Sequence, residues 1–407
     1  MVAVVFPMDA ADGGRCAGGI QAHRMYHSSL QLAERTILPV ATLLVNRPTT
    51  SSGTAGSSGR TGGAAPPVKP KSRWDAVLRV ARLFAVLWVA KLVLTAGLYG
   101  LTRMMDVEKL VIDDSTRQVV RATTGGSFVR LRDGWTHYEM AGPASAPLVV
   151  LAAGASVPGY IWQPTFDSLK QAGYRVLRYD YFGRGWSDRP KIPLTQEVYV
   201  HQLAGLLDSL GVTTPITLAG LSYGGTVITS FAAMHPARVG ALVYVAPAIR
   251  RPRQLPWYIE MDLIGDLVYQ WQARNWASGQ LDDFLNPEKF PGWDDRYRVQ
   301  MQYKGFRRSR LSDAQANQTT DTQIALSEVG QHARPVLVLW GKQDQAVPFE
   351  LSVALMAALP RATLVPVDSS GHLPHWEQTA VAHGALFAFL RANLPADMRI
   401  TKPEPLP

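Results

Sequence analysis

From about Ser127 onward, short apolar runs alternate with longer stretches of helical period. The runs are LVVLA (148–152), RVLRYD (175–180), PITLAG (215–220), ALVYVA (241–246), PVLVLW (335–340) and ATLVPV (362–367). Between them, residues 195–210 place Val198, Leu203, Leu206, Leu207 and Leu210 largely on one helical face. This alternation predicts βαβ units, and hence an α/β fold with a mostly parallel central sheet and helices on both faces. Continuous apolar runs suit strands buried on both sides.

The alternation breaks between about Arg250 and Gln331. There Trp257, Met261, Ile264, Val268 and Trp271 recur at four- and three-residue steps, the pattern of an amphipathic helix. The rest is rich in Trp, Tyr, Arg, Asp and Gln. We read a mostly helical insertion at about 250–331, a cap over the C-terminal sheet edge where ligands of such folds bind.

A different pattern precedes the alternation. Leu83–Leu101 is a nineteen-residue stretch with one charge, Lys91. Its length suits a bilayer core. A central lysine costs about 2.5–3.5 kcal/mol there, which the surrounding Leu, Val, Phe and Trp offset. The expectation is a membrane-associated, single-pass chain with a hydrophobic helix at 76–104. The alternatives are an interfacial amphipathic helix carrying Arg79 and Arg82, and a soluble helix packed on the main domain.

Charge changes the picture only for the N-terminal part. The formal net charge is +9, but residues 1–100 hold 11 Lys/Arg against four acids, leaving the remaining 307 residues near neutral. A nearly neutral main domain argues against a nucleic-acid partner. Residues 48–68 (PTTSSGTAGSSGRTGGAAPPV) read as flexible. Residues 1–75 are expected to be disordered or a targeting region, and 115–407 to form the main domain. The single cysteine, Cys16, excludes an intramolecular disulfide and a Cys-rich zinc site.

The chemistry begins at Gly220-Leu221-Ser222-Tyr223-Gly224, between the strand PITLA and the helix-like TVITSFAAMHP. A nucleophile on a sharp strand-to-helix turn needs strained backbone, and small neighbours let that turn close. Such a turn also sets the Tyr223 N–H at a helix N-terminus, where it stabilises an oxyanion. The bland alternative for Ser222 is a helix N-cap. A serine hydroxyl needs a base, and the base needs an orienting acid. Asp344 lies just beyond the strand PVLVLW, in WGKQDQAVP. His372 lies after ATLVPV, in SSGHLPH, with His375 as rival base.

Together these residues resemble the α/β-hydrolase fold family over about residues 127–395. Asp180-Tyr181-Phe182-Gly183-Arg184-Gly185-Trp186-Ser187-Asp188 looks like its D-x-x-G-x-G-x-S-D loop, followed in order by G-x-S-x-G, W-G-x-x-D and S-G-H. The resemblance implies Ser222 as nucleophile, His372 as base and Asp344 as its acid, with the Ala155 and Tyr223 N–H groups as oxyanion donors. One departure stands out. The family usually has His-Gly after the strand at 148–152, and here the chain reads Ala153-Gly154-Ala155-Ser156. The backbone donor survives, but the imidazole that normally buttresses the loop is gone.

Serine at the elbow separates the chain from the family's epoxide hydrolases and dehalogenases, which use Asp there. No metal set, P-loop or dinucleotide fingerprint appears, so neither metal nor cofactor is expected. The expectation is a serine hydrolase acting on carboxylic esters of apolar acyl or lipid-like character. Alternatives are C–C hydrolase, cofactor-free haloperoxidase or acyltransferase chemistry, and a catalytically silent binding module.

Overall fold

The computed structural model describes residues 73–249 and 252–393. The expectations for residues 48–68, most of 1–75 and Cys16 lie outside the described residues.

Six strands run parallel in the order β4-β3-β5-β6-β7-β8, and the antiparallel β2 and β1 extend the β4 edge. The eight strands are β1 (Ser127–Arg130), β2 (Trp135–Ala141), β3 (Leu148–Ala152), β4 (Arg175–Tyr179), β5 (Ile216–Leu221), β6 (Val239–Val245), β7 (Val336–Gly341) and β8 (Ala362–Val367). The parallel six are the six apolar runs. β3, β5 and β7 are buried at every position, as strands covered on both faces must be. β1 and β2 escaped the pattern because they are only partly buried and mix polar with apolar residues. The helices are α1 (Arg73–Met105), α2 (Asp114–Thr124), α3 (Gln163–Gln171), α4 (Gln196–Ser209) and α5 (Tyr223–Met234), then α6 (Trp257–Glu260), α7 (Asp262–Ala273), α8 (Trp293–Met301), α9 (Phe306–Ala316) and α10 (Gln323–Gln331), and finally α11 (Ser352–Ala358), α12 (Pro374–Glu377) and α13 (Thr379–Asn393).

This strand order positions the site. From β3 the chain moves outward to β4, then returns to the other side of β3 for β5. The crevice between the C-terminal ends of β3 and β5 is thus a topological switch point, where open α/β sheets bind ligands. Ala152 pairs with Gly220 at that end, so the segments after them, 153–156 and Ser222, emerge side by side.

Between β6 and β7 the chain forms helices α6–α10, but not the single amphipathic helix the spacing suggested. The helix breaks at Met261, whose φ of −83° and ψ of 113° are extended. Trp257, Met261 and Trp271 are exposed rather than turned to the core. Gly265 is buried instead, because α6 and α7 approach so closely that a Cβ there would lie 2.7 Å from the Ile259 carbonyl oxygen.

The membrane expectation is corrected. Among the described residues, no helix is long and apolar enough to cross a membrane. Length is not what α1 lacks, since it has 33 residues. Arg79, Arg82 and Lys91 divide it, so that its charge-free runs are 83–90 and 92–102. Each is about half of the ~20 apolar residues a span needs. The single-pass, membrane-associated placement through Leu83–Leu101 is withdrawn.

Candidate active site

Ser222 sits between β5 and α5 with φ 53° and ψ −119°, a region L residues rarely occupy. Strain of this kind costs about 1–3 kcal/mol and persists only where surrounding bonds fix it. Here they do. The Ser222 N–H donates to the Val245 carbonyl at 3.0 Å, and its own carbonyl accepts from Gly225 and Ala248 N–H at 2.8 and 2.9 Å. The glycines of the motif are steric necessities. A Cβ on Gly220 would overlap the Gly224 backbone, and one on Gly224 would overlap the Ala152 and Ala153 carbonyls. The N-cap alternative fails, because the Ser222 side chain makes no capping bond. Tyr223 opens α5, where the N–H groups and dipole of the helix favour negative charge.

His372 and Asp344 meet, with Nδ1 2.8 Å from Oδ2, both side chains buried. A carboxylate only accepts, so Nδ1 carries a proton, and in the neutral ring Nε2 keeps its lone pair. The other carboxylate oxygen accepts from Ala346 and Val347 N–H at 2.9 and 2.8 Å, which locks its orientation. Burial alone would push the His372 imidazole down. The charge and hydrogen bond of Asp344 override this and raise it to about 9. His372 makes its side-chain bond to Asp344, and none to Ser222 among the described residues. Such bonds are often long before substrate arrives. The rival His375 is turned elsewhere. Its Nε2 lies 3.0 Å from the Ile161 carbonyl, its ring packs on Trp162, and burial pushes it down to about 3.

The loop after β3 lies against the elbow, since a Cβ on Gly154 would stand 3.6 Å from the Ser222 Cβ. The Ala155 carbonyl accepts from Arg184 Nε at 2.9 Å and from Arg310 Nη1 at 2.7 Å. Ser156 O accepts from Gln300 Nε2 at 3.3 Å. The D-x-x-G-x-G-x-S-D loop braces the same segment. Asp180 accepts from Gly159 N–H at 2.7 Å, from Trp186 N–H at 2.9 Å, and pairs with His137 Nδ1 at 2.9 Å.

Several of these residues were invisible in the sequence. Glu377 accepts from Gly371 N–H at 2.6 Å and from Leu285 N–H at 2.7 Å, tying the His372 loop to the segment between β6 and β7. The Asp283 carbonyl accepts the His372 N–H at 2.9 Å, and burial pushes the Asp283 carboxyl up to about 6. Beside Asp283, Phe284 stacks on Phe290 at 4.0 Å and meets Trp293 edge-on at 5.1 Å. Only Glu377 carried a usable signal, lying five residues after His372. Arg310, Gln300 and Asp283 belong to no motif. A cavity of about 230 Å³ opens beside Trp376, walled by Phe290, Trp293 and Arg296, without any of Ser222, Asp344 or His372 in its lining.

A family model described as the Alpha/beta hydrolase family matches residues 149–383. The chain is 28% identical over 294 residues to a 2-hydroxy-6-oxononadienedioate/2-hydroxy-6-oxononatrienedioate hydrolase of Paraburkholderia xenovorans, covering 69% of this chain and 97% of that protein. It is 26% identical to a cis-3-alkyl-4-alkyloxetan-2-one decarboxylase of Xanthomonas campestris pv. campestris, covering 62% of this chain and 91% of that one. In three dimensions it resembles the enol-lactonase from Burkholderia xenovorans with a TM-score of 0.56 at 23% identity, over 65% of this chain and 99% of that one, a likeness of fold.

Proposed function

The chain belongs to the alpha/beta hydrolase family, and on that premise we propose that it hydrolyses carboxylic esters of apolar acyl character through Ser222, His372 and Asp344. The observation that carries this reading is the strained Ser222 elbow in a fold that also holds a buried His372–Asp344 pair. Ser222 Oγ attacks the ester carbonyl and its proton passes to His372 Nε2. The carbonyl oxygen becomes an oxyanion facing the N–H groups of Ala155 and Tyr223. Collapse breaks the C–O bond, and His372 returns its proton to the leaving alcohol. Water, deprotonated by His372, then cleaves the acyl-Ser222 ester. Asp344 holds the tautomer and stabilises the imidazolium. The cluster of Phe284, Phe290 and Trp293 adjoining Asp283 supports an apolar acyl group.

The relatives named for a 2-hydroxy-6-oxo dioate favour a second reading, hydrolysis of a carbon–carbon bond next to a ketone. One experiment separates them. The purified chain is offered p-nitrophenyl esters of increasing acyl length and, in parallel, a 2-hydroxy-6-oxo-dienoate. Ester turnover with an acyl group trapped on Ser222 supports the first reading. Turnover of the dienoate alone replaces it with the second. Failure of a fluorophosphonate to label Ser222 would sink both.

A further inference from the structure

The imidazole that usually buttresses the oxyanion loop is absent here, where Ala153 stands. Something else must fix the Ala155 N–H if it is to act as a preorganised donor. This inference therefore rests on the serine-hydrolase reading above. We propose that Arg310 and Gln300, from the helices between β6 and β7, act with Arg184 as positioning residues that clamp the oxyanion loop.

A backbone carbonyl has two lone pairs, and at Ala155 both are engaged by guanidinium groups, at 2.9 Å from Arg184 and 2.7 Å from Arg310. Charge-assisted bonds are roughly twice as strong as neutral ones, so this carbonyl is held harder than an ordinary loop carbonyl. The clamp is itself anchored. Arg184 is 1% exposed, bonds Tyr199 Oη at 3.0 Å, and its Nη2 lies 3.5 Å from Asp313 Oδ2. Arg310 lies against the Trp276 ring, its guanidinium carbon 5.5 Å from the centroid. The next carbonyl, Ser156, is held by Gln300 Nε2, while Gln300 Oε1 accepts the Gly185 N–H at 3.0 Å. Gln300 is 4% exposed and so bridges the two loops from a buried position.

Two consecutive carbonyls of the loop are thus gripped from α8 and α9, and one of them also from the loop after β4. The held carbonyl fixes the Ala155–Ser156 peptide plane and with it the Ala155 Cα, so the Ala155 N–H, in the preceding plane, can turn only about the two bonds at that anchored Cα. Two guanidinium groups this close also add positive potential where negative charge develops. Neither effect needs contact with the bound substrate. The consequence is that helices far from Ser222 in sequence set the quality of the oxyanion hole, and so govern the chemical step rather than substrate affinity.

The test uses the full chain, p-nitrophenyl acetate and a trifluoromethyl ketone, whose hydroxyl adduct carries a tetrahedral oxyanion. Removing a direct oxyanion donor costs about 10²–10³ in kcat, so loosening one by Arg310→Met is expected to lower kcat about ten- to a hundred-fold. KM should move less than about two-fold, and ketone affinity should fall by the same factor as kcat. Arg310→Lys, which keeps one charged donor, should recover part of the loss, and Gln300→Leu should show a smaller loss of the same kind. Should Arg310→Met not fold, Arg310→Lys and Gln300→Leu carry the same readout. Folded variants with unchanged kcat, or with a raised KM at unchanged kcat, would overturn the clamp. Wild-type protein that a fluorophosphonate does not label at Ser222 would overturn the underlying reading instead.

Discussion

The loop that carries His372 and the loop that carries Ala155 both leave C-terminal ends of parallel strands, yet they are held by partners at very different distances along the chain. The His372 side is assembled from residues 341–377. Asp344 takes the imidazole, and Glu377 takes the Gly371 N–H. Gln343 exchanges two bonds with Ser370, at 3.0 and 3.1 Å. Gly341 packs so closely that a Cβ there would overlap the Gly371 carbonyl. The outside bonds of this loop come from residues 283–286, with His372 N–H donating to Asp283 O and the Leu285 and Asn286 N–H groups donating to Glu377. The Ala155 side has the reverse construction. Its partners are Asp180 and Arg184 after β4, and Gln300 and Arg310, which lie beyond β6. On the proposed reading, the base side depends mainly on its own loop and on residues 283–286, and the oxyanion side on how the helices between β6 and β7 sit.

The largest effect should come from the residue both sides serve. Ser222→Ala is expected to lower kcat by about 10⁴–10⁶ while the protein stays folded. A folded mutant keeping more than a tenth of wild-type kcat breaks the comparison at its centre. On the base side alone, Asp344→Asn and His372→Ala should each lose about 10⁴ in kcat. If His375→Ala is the inactive variant and His372→Ala is active, the short-range assembly described above is not the catalytic one.

The base side should also show itself in pH. Asp344 raises the His372 imidazole to about 9, and a general base works only when neutral. The kcat/KM is therefore expected to rise with pH through the range between 6.5 and about 9. In the residual activity of Asp344→Asn that limb should move toward lower pH, since the charge holding the proton is gone. A pH–rate profile with no limb above neutrality would contradict it.

Smaller effects sharpen the boundary between the two sides. His375→Ala should leave most of kcat intact but cost about 1–3 kcal/mol of stability, because it removes packing on Trp162 and a bond to a buried carbonyl. Thermal melts beside kinetics check this. Burial pushes His375 down to about 3 and His383 down to about 4. Below pH 6.5 the unfolded chain therefore takes up protons that the folded one refuses, and the melting temperature should fall as pH drops. The smallest effect is expected from deleting residues 1–104. None of the residues of either loop lies there, so kcat on a p-nitrophenyl ester should change less than about two-fold. A larger loss would show that the comparison omits a third contributor.

Much of the fold was legible because inner strands covered on both faces are written as continuous apolar runs, and the six runs became six parallel strands, the edge strand β8 among them although it is only partly buried. Asp344 and His372 are singled out in the sequence because each stands in a short motif just past a strand end, and the fold brings their side chains together at one edge of the sheet. Local pattern favours His372 over His375, because Gly371 directly precedes it in the short loop after the strand. The tertiary structure adds the partners, with the His372 ring at Asp344 and the His375 ring at the Ile161 carbonyl. Local pattern could not read α1, whose apolar composition outweighed the charges that divide it, or α6–α7, where a buried glycine contact displaced the expected stripe. The partners of the Ala155 carbonyl were least legible of all. Arg310 lies 155 residues from the carbonyl it holds, and a bond across that separation leaves no period, motif or spacing in the chain. It exists only because the fold brings a helix beyond β6 back over the end of β3.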